Sequence, residues 1–105
     1  MRSMEYNKLV RDKIPAIIAA QGEKANIRIL SDEEYTRCLE AKLDEEVREY
    51  HADRNAEELA DILEVVFALA ENQGVSVDNL MDIYNCKHQQ RGGFRERFFL
   101  ISKED

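Results

Sequence analysis

Five carboxylates lie within one short stretch of the sequence, residues 42–64, and their types and spacing could bind a metal ion. They are Glu45, Glu46, Glu49, Glu58 and Asp61. Within each of the two groups, residues three positions apart lie on the same side of a helix. Oxygen ligands select hard divalent cations. The pattern therefore predicts a site for Mg²⁺, with Mn²⁺ as a substitute.

The helical positions of two of these carboxylates favour a ligand over a solvated surface. At about 100° per residue, Glu46 projects into an apolar stripe that begins at Leu39, and Glu58 projects between Ile62 and Val65. Carboxylates on a core-facing surface are costly unless a cation, a proton or a metal satisfies them. No Lys or Arg stands at the stripe positions, so we expect a shared metal cation. The alternative is an acidic helix face that is merely solvated.

Capping signals predict an all-α fold of four helices that positions these groups. The predicted helices are a short one from Asp12 as N-cap to Gly22, one from Ser31 to about residue 52, one from Asn55 to residue 72 or 73, and one from Ser76 to about Gln90 with Leu80, Ile83 and Tyr84 as its inner face. Because a few residues join the second and third helices, they should form an antiparallel hairpin that turns the two carboxylate groups towards each other. The patterns of the remaining segments could add a minor β pairing of residues 26–30 with 97–101.

Length and composition bound the class of protein. The 105 residues, 44% hydrophobic and 35% charged, predict a single domain over residues 1–105. The net charge of −7 is concentrated in residues 31–64, where thirteen acidic and four basic residues give −9. This balance argues against a nucleic-acid polymer as partner. The isolated Cys38 and Cys86 are expected to be reduced core residues, and the lack of a long apolar run predicts a cytoplasmic protein without a membrane partner.

Five sequence blocks resemble a known enzyme family. The pattern Glu45-Glu46-x-x-Glu49 followed by Glu58-x-x-Asp61 resembles the EExxE…ExxD signature of the all-α nucleoside triphosphate pyrophosphohydrolases, the MazG-like superfamily. The flanking blocks are similar to its phosphoribosyl-ATP pyrophosphohydrolase-like subfamily: YNKLVRDKIP (6–15), LSDEEY (30–35), KLDEEVREY (42–50), EELADILEVV (57–66) and RGGFRERFFL (91–100). One EExxE alone occurs in many helices, whereas five blocks in this order are far more specific and cover nearly the whole chain.

The resemblance implies a four-helix MazG-like bundle and Mg²⁺-dependent hydrolysis of a nucleoside triphosphate to the monophosphate and pyrophosphate. Glu46, Glu49, Glu58 and Asp61 would then be the principal metal ligands of the catalytic site, and Glu45 would bind a second ion or orient water. The residues expected to contact the substrate are Lys8, Arg11, Lys13, Lys42, Arg91 and Arg95. A carboxylate not engaged on metal would accept the proton of the attacking water.

The resemblance also implies an oligomer, a homodimer or a homotetramer, with nucleotide-pool house-cleaning as one role. Four short helices around carboxylates leave little core for a stable monomer, which agrees with that expectation. A second function class stays open from the sequence: a non-catalytic nucleotide-binding or oligomerisation module of the same fold. The complete set of carboxylates favours the enzyme, because a binding module has no need of it.

Overall fold

The computed structural model describes residues 4–105 and contains four α-helices with no strand among those residues. The helices are α1 (Ile14–Ala20), α2 (Asp32–Asp53), α3 (Ala56–Asn72) and α4 (Val77–Arg91). The all-α prediction is confirmed. The predicted pairing of 26–30 with 97–101 is wrong, because neither segment forms a strand and both are exposed apart from Leu30.

Side-chain caps begin three of the helices at the predicted residues. The Ser31 hydroxyl accepts from the Glu34 N–H at 3.3 Å, and the Glu34 carboxylate accepts from the Ser31 N–H at 3.2 Å, which completes a capping box. The Asn55 side chain caps α3 through the Glu58 N–H at 3.0 Å, and the Ser76 hydroxyl caps α4. The predicted cap at Asp12 is wrong: α1 has Lys13 at its N-cap, in helical backbone geometry and without a side-chain cap.

The packing of α2 against α3 forms the core of the molecule. Only Arg54 and Asn55 separate the two helices, and Arg54 takes left-handed backbone angles with φ of 50°. Such a short connection returns α3 antiparallel along α2. Among residues 4–105 the buried apolar residues are Leu39 on α2 and Val65 and Ala70 on α3. The hairpin that the sequence predicts is therefore the element on which the carboxylates are placed.

The fourth helix projects from this hairpin instead of folding back along it. Leu80 is half-buried, and every residue after it is exposed, including Ile83 and Tyr84 of the predicted inner face. The prediction of that face is therefore wrong beyond its first turn, because α4 packs only against the end of α3. The radius of gyration is 18.6 Å, whereas a compact chain of this length has about 13 Å.

Two smaller findings concern the cysteines and the membrane. Cys38 and Cys86 are both free thiols, but Cys86 is exposed on α4, so the prediction that it lies in the core is wrong. Among residues 4–105, α2 has the length of a membrane span but is densely charged, and no other helix combines the necessary length with apolar character.

Candidate metal centre

The hairpin brings the five carboxylates into two overlapping groups. Glu45, Glu46 and Glu49 form one group, and Glu46, Glu58 and Asp61 form the other; within each, the candidate ligand oxygens lie within 4.8 Å of one another. Two ligands on opposite sides of one Mg²⁺ are about 4 Å apart, so this spacing is close to that of a coordination shell. Glu46 belongs to both groups and is the junction between α2 and α3.

Burial of carboxylate oxygens without partners is the most informative property of this site. Glu46 is 6% exposed. Its Oε2 atom and the Oε2 atom of Glu58 are buried, and neither has a hydrogen-bond partner among the described residues. Native proteins rarely leave such atoms unsatisfied. Buried carboxylate oxygens without partners, in groups whose candidate ligand atoms lie within 4.8 Å of one another, could hold a divalent cation.

Lys42 partly satisfies the carboxylates, which corrects one expectation from the sequence. Its Nζ atom lies 3.2 Å from Glu45 Oε2 and 3.2 Å from Glu46 Oε1. The apolar stripe itself carries no base, but Lys42 lies one helical turn before Glu46, and its long side chain reaches that carboxylate at i,i+4 spacing. One oxygen of Glu46 is thus paired with a cation, and the other is left for a ligand.

The carboxylates differ in their affinity for protons. Burial and the charges of Glu49, Asp53 and Asp61 raise the pKa of Glu58. The charge of Glu46 is the main cause that raises the pKa of Glu49. Burial is the largest single influence on Glu45 and opposes its ionisation, but the hydrogen bonds and charges of Lys42 and Lys8 together outweigh it and hold the pKa of Glu45 below its ordinary value. The surroundings of Glu49 and Glu58 thus disfavour the negative charge of these two carboxylates.

The segment before α1 supplies two further cations to the same place. Lys8 Nζ lies 3.5 Å from Glu45 Oε1, and Arg11 donates through Nη2 to Asp61 Oδ1 at 3.2 Å. Both bases were predicted to meet substrate phosphates, and the structure places them within reach of the carboxylates. Lys13 is exposed and has no ion pair among the described residues.

A groove of about 240 Å³ lies beside the carboxylates, between the N-terminal segment and α2. Its basic lining includes Lys8, Lys42 and Arg48, and Cys38 is also on its wall. Arg48 was not among the predicted substrate contacts. The signal that could have found it is its position three residues after Glu45 and seven after Ala41 on α2, which places it on the helix face that lines the groove.

The two C-terminal arginines are not brought to the carboxylates of their own chain. Arg91 ends α4 and Arg95 follows it, both are exposed, and neither forms an ion pair with any described residue. Since α4 projects from the hairpin, these arginines do not lie beside Glu46 of the same copy.

Comparison with known proteins adds one short match. An uncharacterized protein of Mycolicibacterium smegmatis (strain ATCC 700084 / mc(2)155) is 58% identical over 45 residues, which are 43% of this chain and 46% of that protein. The match thus spans about half of the length of this relative, whose description states no activity. No family model matches the chain, and no solved structure matches it.

Proposed function

We propose that this chain is a nucleoside triphosphate pyrophosphohydrolase of the MazG-like type, dependent on Mg²⁺ or on Mn²⁺ as its substitute. The observation that carries the proposal is Glu46, whose buried Oε2 atom has no hydrogen-bond partner among residues 4–105 and whose carboxylate belongs to both acidic groups. The five sequence blocks that resemble the family support the same function. A four-helix MazG-like bundle agrees with the helices and with their order.

The metal would be held by Glu46, Glu58 and Asp61, with Glu45 available for a second ion and Glu49 left free of metal. When bound, Mg²⁺ would neutralise charge on the triphosphate and on the leaving pyrophosphate. The protein contributes fixed positions for these oxygens, because α2 and α3 are joined tightly and packed against each other. Such prior placement of charged groups is a large part of phosphoryl-transfer catalysis.

The bases beside the carboxylates would bind the phosphate oxygens that the metal leaves uncovered. Without a ligand, Lys8, Arg11 and Lys42 each pair with a carboxylate. With those carboxylates engaged on a divalent cation, the three bases would be available to bind the triphosphate. The groove that Lys8, Lys42 and Arg48 line has room for part of a nucleotide beside the carboxylates.

In the proposed reaction, the oxygen of a water molecule forms a bond with the α-phosphorus of the triphosphate. The bond between that phosphorus and the oxygen that bridges to the β-phosphate breaks, and pyrophosphate leaves with the bonding electron pair. Glu49 is the best placed acceptor for the water proton, because it lies at the solvent edge of the cluster and its pKa is raised. A base with a pKa closer to neutrality is the more effective proton acceptor.

The test is pyrophosphate release from a panel of ribo- and deoxynucleoside triphosphates in the presence of Mg²⁺. We expect release by the wild-type chain and a loss of at least about 100-fold in Glu49→Gln, the usual scale for a general base. Glu40→Gln, an exposed acid on the same helix, is the matched control and should keep full activity. A wild-type chain that binds Mg²⁺ and nucleotide but releases no pyrophosphate would instead favour the non-catalytic binding module.

A further inference from the structure

The chain ends in an exposed segment that is both apolar and basic. We call residues 81–105 the C-terminal arm; all of them are exposed. Phe94 is 97% exposed, and the run from Phe98 to Ile101 is 81–90% exposed. From Lys87 to Lys103 the arm carries five basic residues and one acidic residue. An exposed apolar surface of this kind marks a contact surface.

A complementary surface lies on α3. Leu59, Leu63, Val66 and Ala70 follow the spacing of one helix face, and Leu59 and Leu63 are 50% and 48% exposed. We call this face the α3 track. At one end it enters an apolar groove of about 300 Å³ that Val66, Leu69, Ala70, Val75, Leu80 and Ile83 line together with Gln73. At its other end, Leu59 adjoins Glu58, so the track leads from the groove to the carboxylates.

We propose that the occupant of the α3 track is the C-terminal arm of a second copy of this chain, and that the arm delivers Arg91 and Arg95 to the carboxylate site of that copy. The site would then be complete only in the assembly: one copy supplies the metal ligands and the other supplies two phosphate-binding arginines. The role given to the arginines rests on the proposed function, whereas the docking of the arm does not.

Charge selects this occupant. The carboxylate-bearing helices carry a net charge of −9 over residues 31–64, whereas the arm carries +1 over residues 81–105, with +4 concentrated in residues 87–103. Opposite charges on two surfaces of the same chain favour contact between copies. The arm of the same chain reaches the groove end of the track through Ile83, but Leu59 and Leu63 further along the track remain about half exposed. Three buried apolar residues, counted over residues 4–105, are also a small core for one copy.

The lengths of the two elements agree as well. At 1.5 Å per residue, the helix from Leu80 to Arg91 extends about 16 Å, and the stretch of α3 from Ala70 back to Glu58 extends about 18 Å. An arm that starts at a neighbour's groove and runs along α3 therefore reaches the carboxylates at about the position of Arg91. In a two-fold dimer each copy would give and receive one arm, so no arm is left exposed.

Disulfide trapping tests the docking without using activity. In chains with Cys38→Ser and Cys86→Ser, one copy carries Gln90→Cys beside Arg91, and a separately purified copy carries Glu57→Cys beside Glu58. Mild oxidation of the mixture should give a heterodimer linked through these two positions. A copy with Glu33→Cys, at the opposite end of the hairpin, is the control and should not cross-link. Equal cross-linking at both positions, or none at either, would overturn the docking.

Subunit mixing tests the role of the arginines. Glu49→Gln disables the carboxylates, and the double variant Arg91→Ala/Arg95→Ala disables the arm; each should be inactive alone. In a random mixture of two-fold dimers, half are mixed and each mixed dimer has one intact site, so about one quarter of wild-type activity should return. If activity does not return in the mixture although both variants are folded and associated, the arginines do not act across copies. Full activity of the double variant alone would show the same.

The two experiments separate this inference from the proposed function. If the wild-type chain releases no pyrophosphate, the enzyme proposal fails. The role of the arginines is then tested by measuring binding of tripolyphosphate to the same mixture of variants. If the chain is active but the cross-link pattern and the mixing fail, only the inference is overturned. Phe98→Asp, at a side chain that is 90% exposed and so does not support the fold of one copy, should reduce the mass measured by light scattering.

Discussion

Binding of Mg²⁺ should stabilise this protein, and the structure indicates which atoms are responsible. Glu46 Oε2 and Glu58 Oε2 are buried and have no hydrogen-bond partner in the described part of the chain. A buried polar group without a partner lowers stability by about 1–3 kcal/mol, so one cation that coordinates both oxygens could recover about 2–6 kcal/mol. Mg²⁺ should therefore bind the folded chain more tightly than the unfolded chain, in which these oxygens are hydrated.

The measurement is the unfolding temperature, recorded by calorimetry from EDTA through increasing Mg²⁺. At a Mg²⁺ concentration 100 times its Kd, linkage gives about 2.7 kcal/mol of stabilisation. For a domain of about 100 residues, this is a rise in Tm of about 10–20 °C. The Tm should rise with the logarithm of Mg²⁺ concentration once that concentration exceeds the Kd.

Two variants decide whether the rise comes from the carboxylate site. Glu46→Gln keeps the volume of the side chain but removes the charge, so it should lose most of the Mg²⁺-dependent rise. Glu40→Gln, exposed on the same helix, should respond like the wild type. KCl at matched ionic strength separates coordination from screening of the net charge of −7. A rise of the same size in Glu46→Gln as in the wild type would refute the assignment of the metal to this site.

Three further predictions concern stability. Ser31→Ala removes the hydroxyl that caps α2 and should reduce the free energy of unfolding in urea by about 1 kcal/mol; an unchanged midpoint would mean that the capping box is dispensable. Lys42→Met leaves the buried carboxylate of Glu46 without its cation and should destabilise the metal-free protein by about 1–3 kcal/mol, most of which Mg²⁺ should restore. Because burial raises the pKa of Glu58, its ionisation opposes folding, so the metal-free protein should gain stability as the pH falls from neutrality towards 4.5, the ordinary value. Glu58→Gln should remove part of that gain in urea unfolding at each pH, and an equal gain in both proteins would contradict the assignment.

The features that the sequence predicts well are those that depend on neighbouring residues. Ser31, Asn55 and Ser76 begin their helices as predicted, because each cap bonds to a backbone N–H three residues later. The proximity of Glu46 to Glu58 and Asp61 also follows from local information, since a two-residue connection leaves α3 one direction in which to run. The roles of these residues in catalysis stay predictions.

The features that the sequence does not predict depend on contacts between distant segments. The inner face expected for α4 assumes that Ile83 and Tyr84 pack inward, but no other element of the described chain covers them. The expected β pairing fails for the same reason, because residues 97–101 lie in an arm that extends away from 26–30. The ion pair of Lys42 with Glu46 was missed because helical projection considers the direction of each residue and neglects how far a lysine side chain reaches.

The two-residue connection formed by Arg54 and Asn55 makes the geometry of the carboxylate site sensitive to insertions and deletions. One residue inserted there, with α3 still packed along α2, would turn the third helix by about 100° and shift it by about 1.5 Å. Glu58 and Asp61 would then point away from Glu46, while the composition and helix content of the protein would scarcely change. Insertions and deletions in this connection should therefore be excluded from functional variants, although many substitutions at Arg54 should be tolerated. The two-residue spacer sets the rotational phase between the two halves of the site.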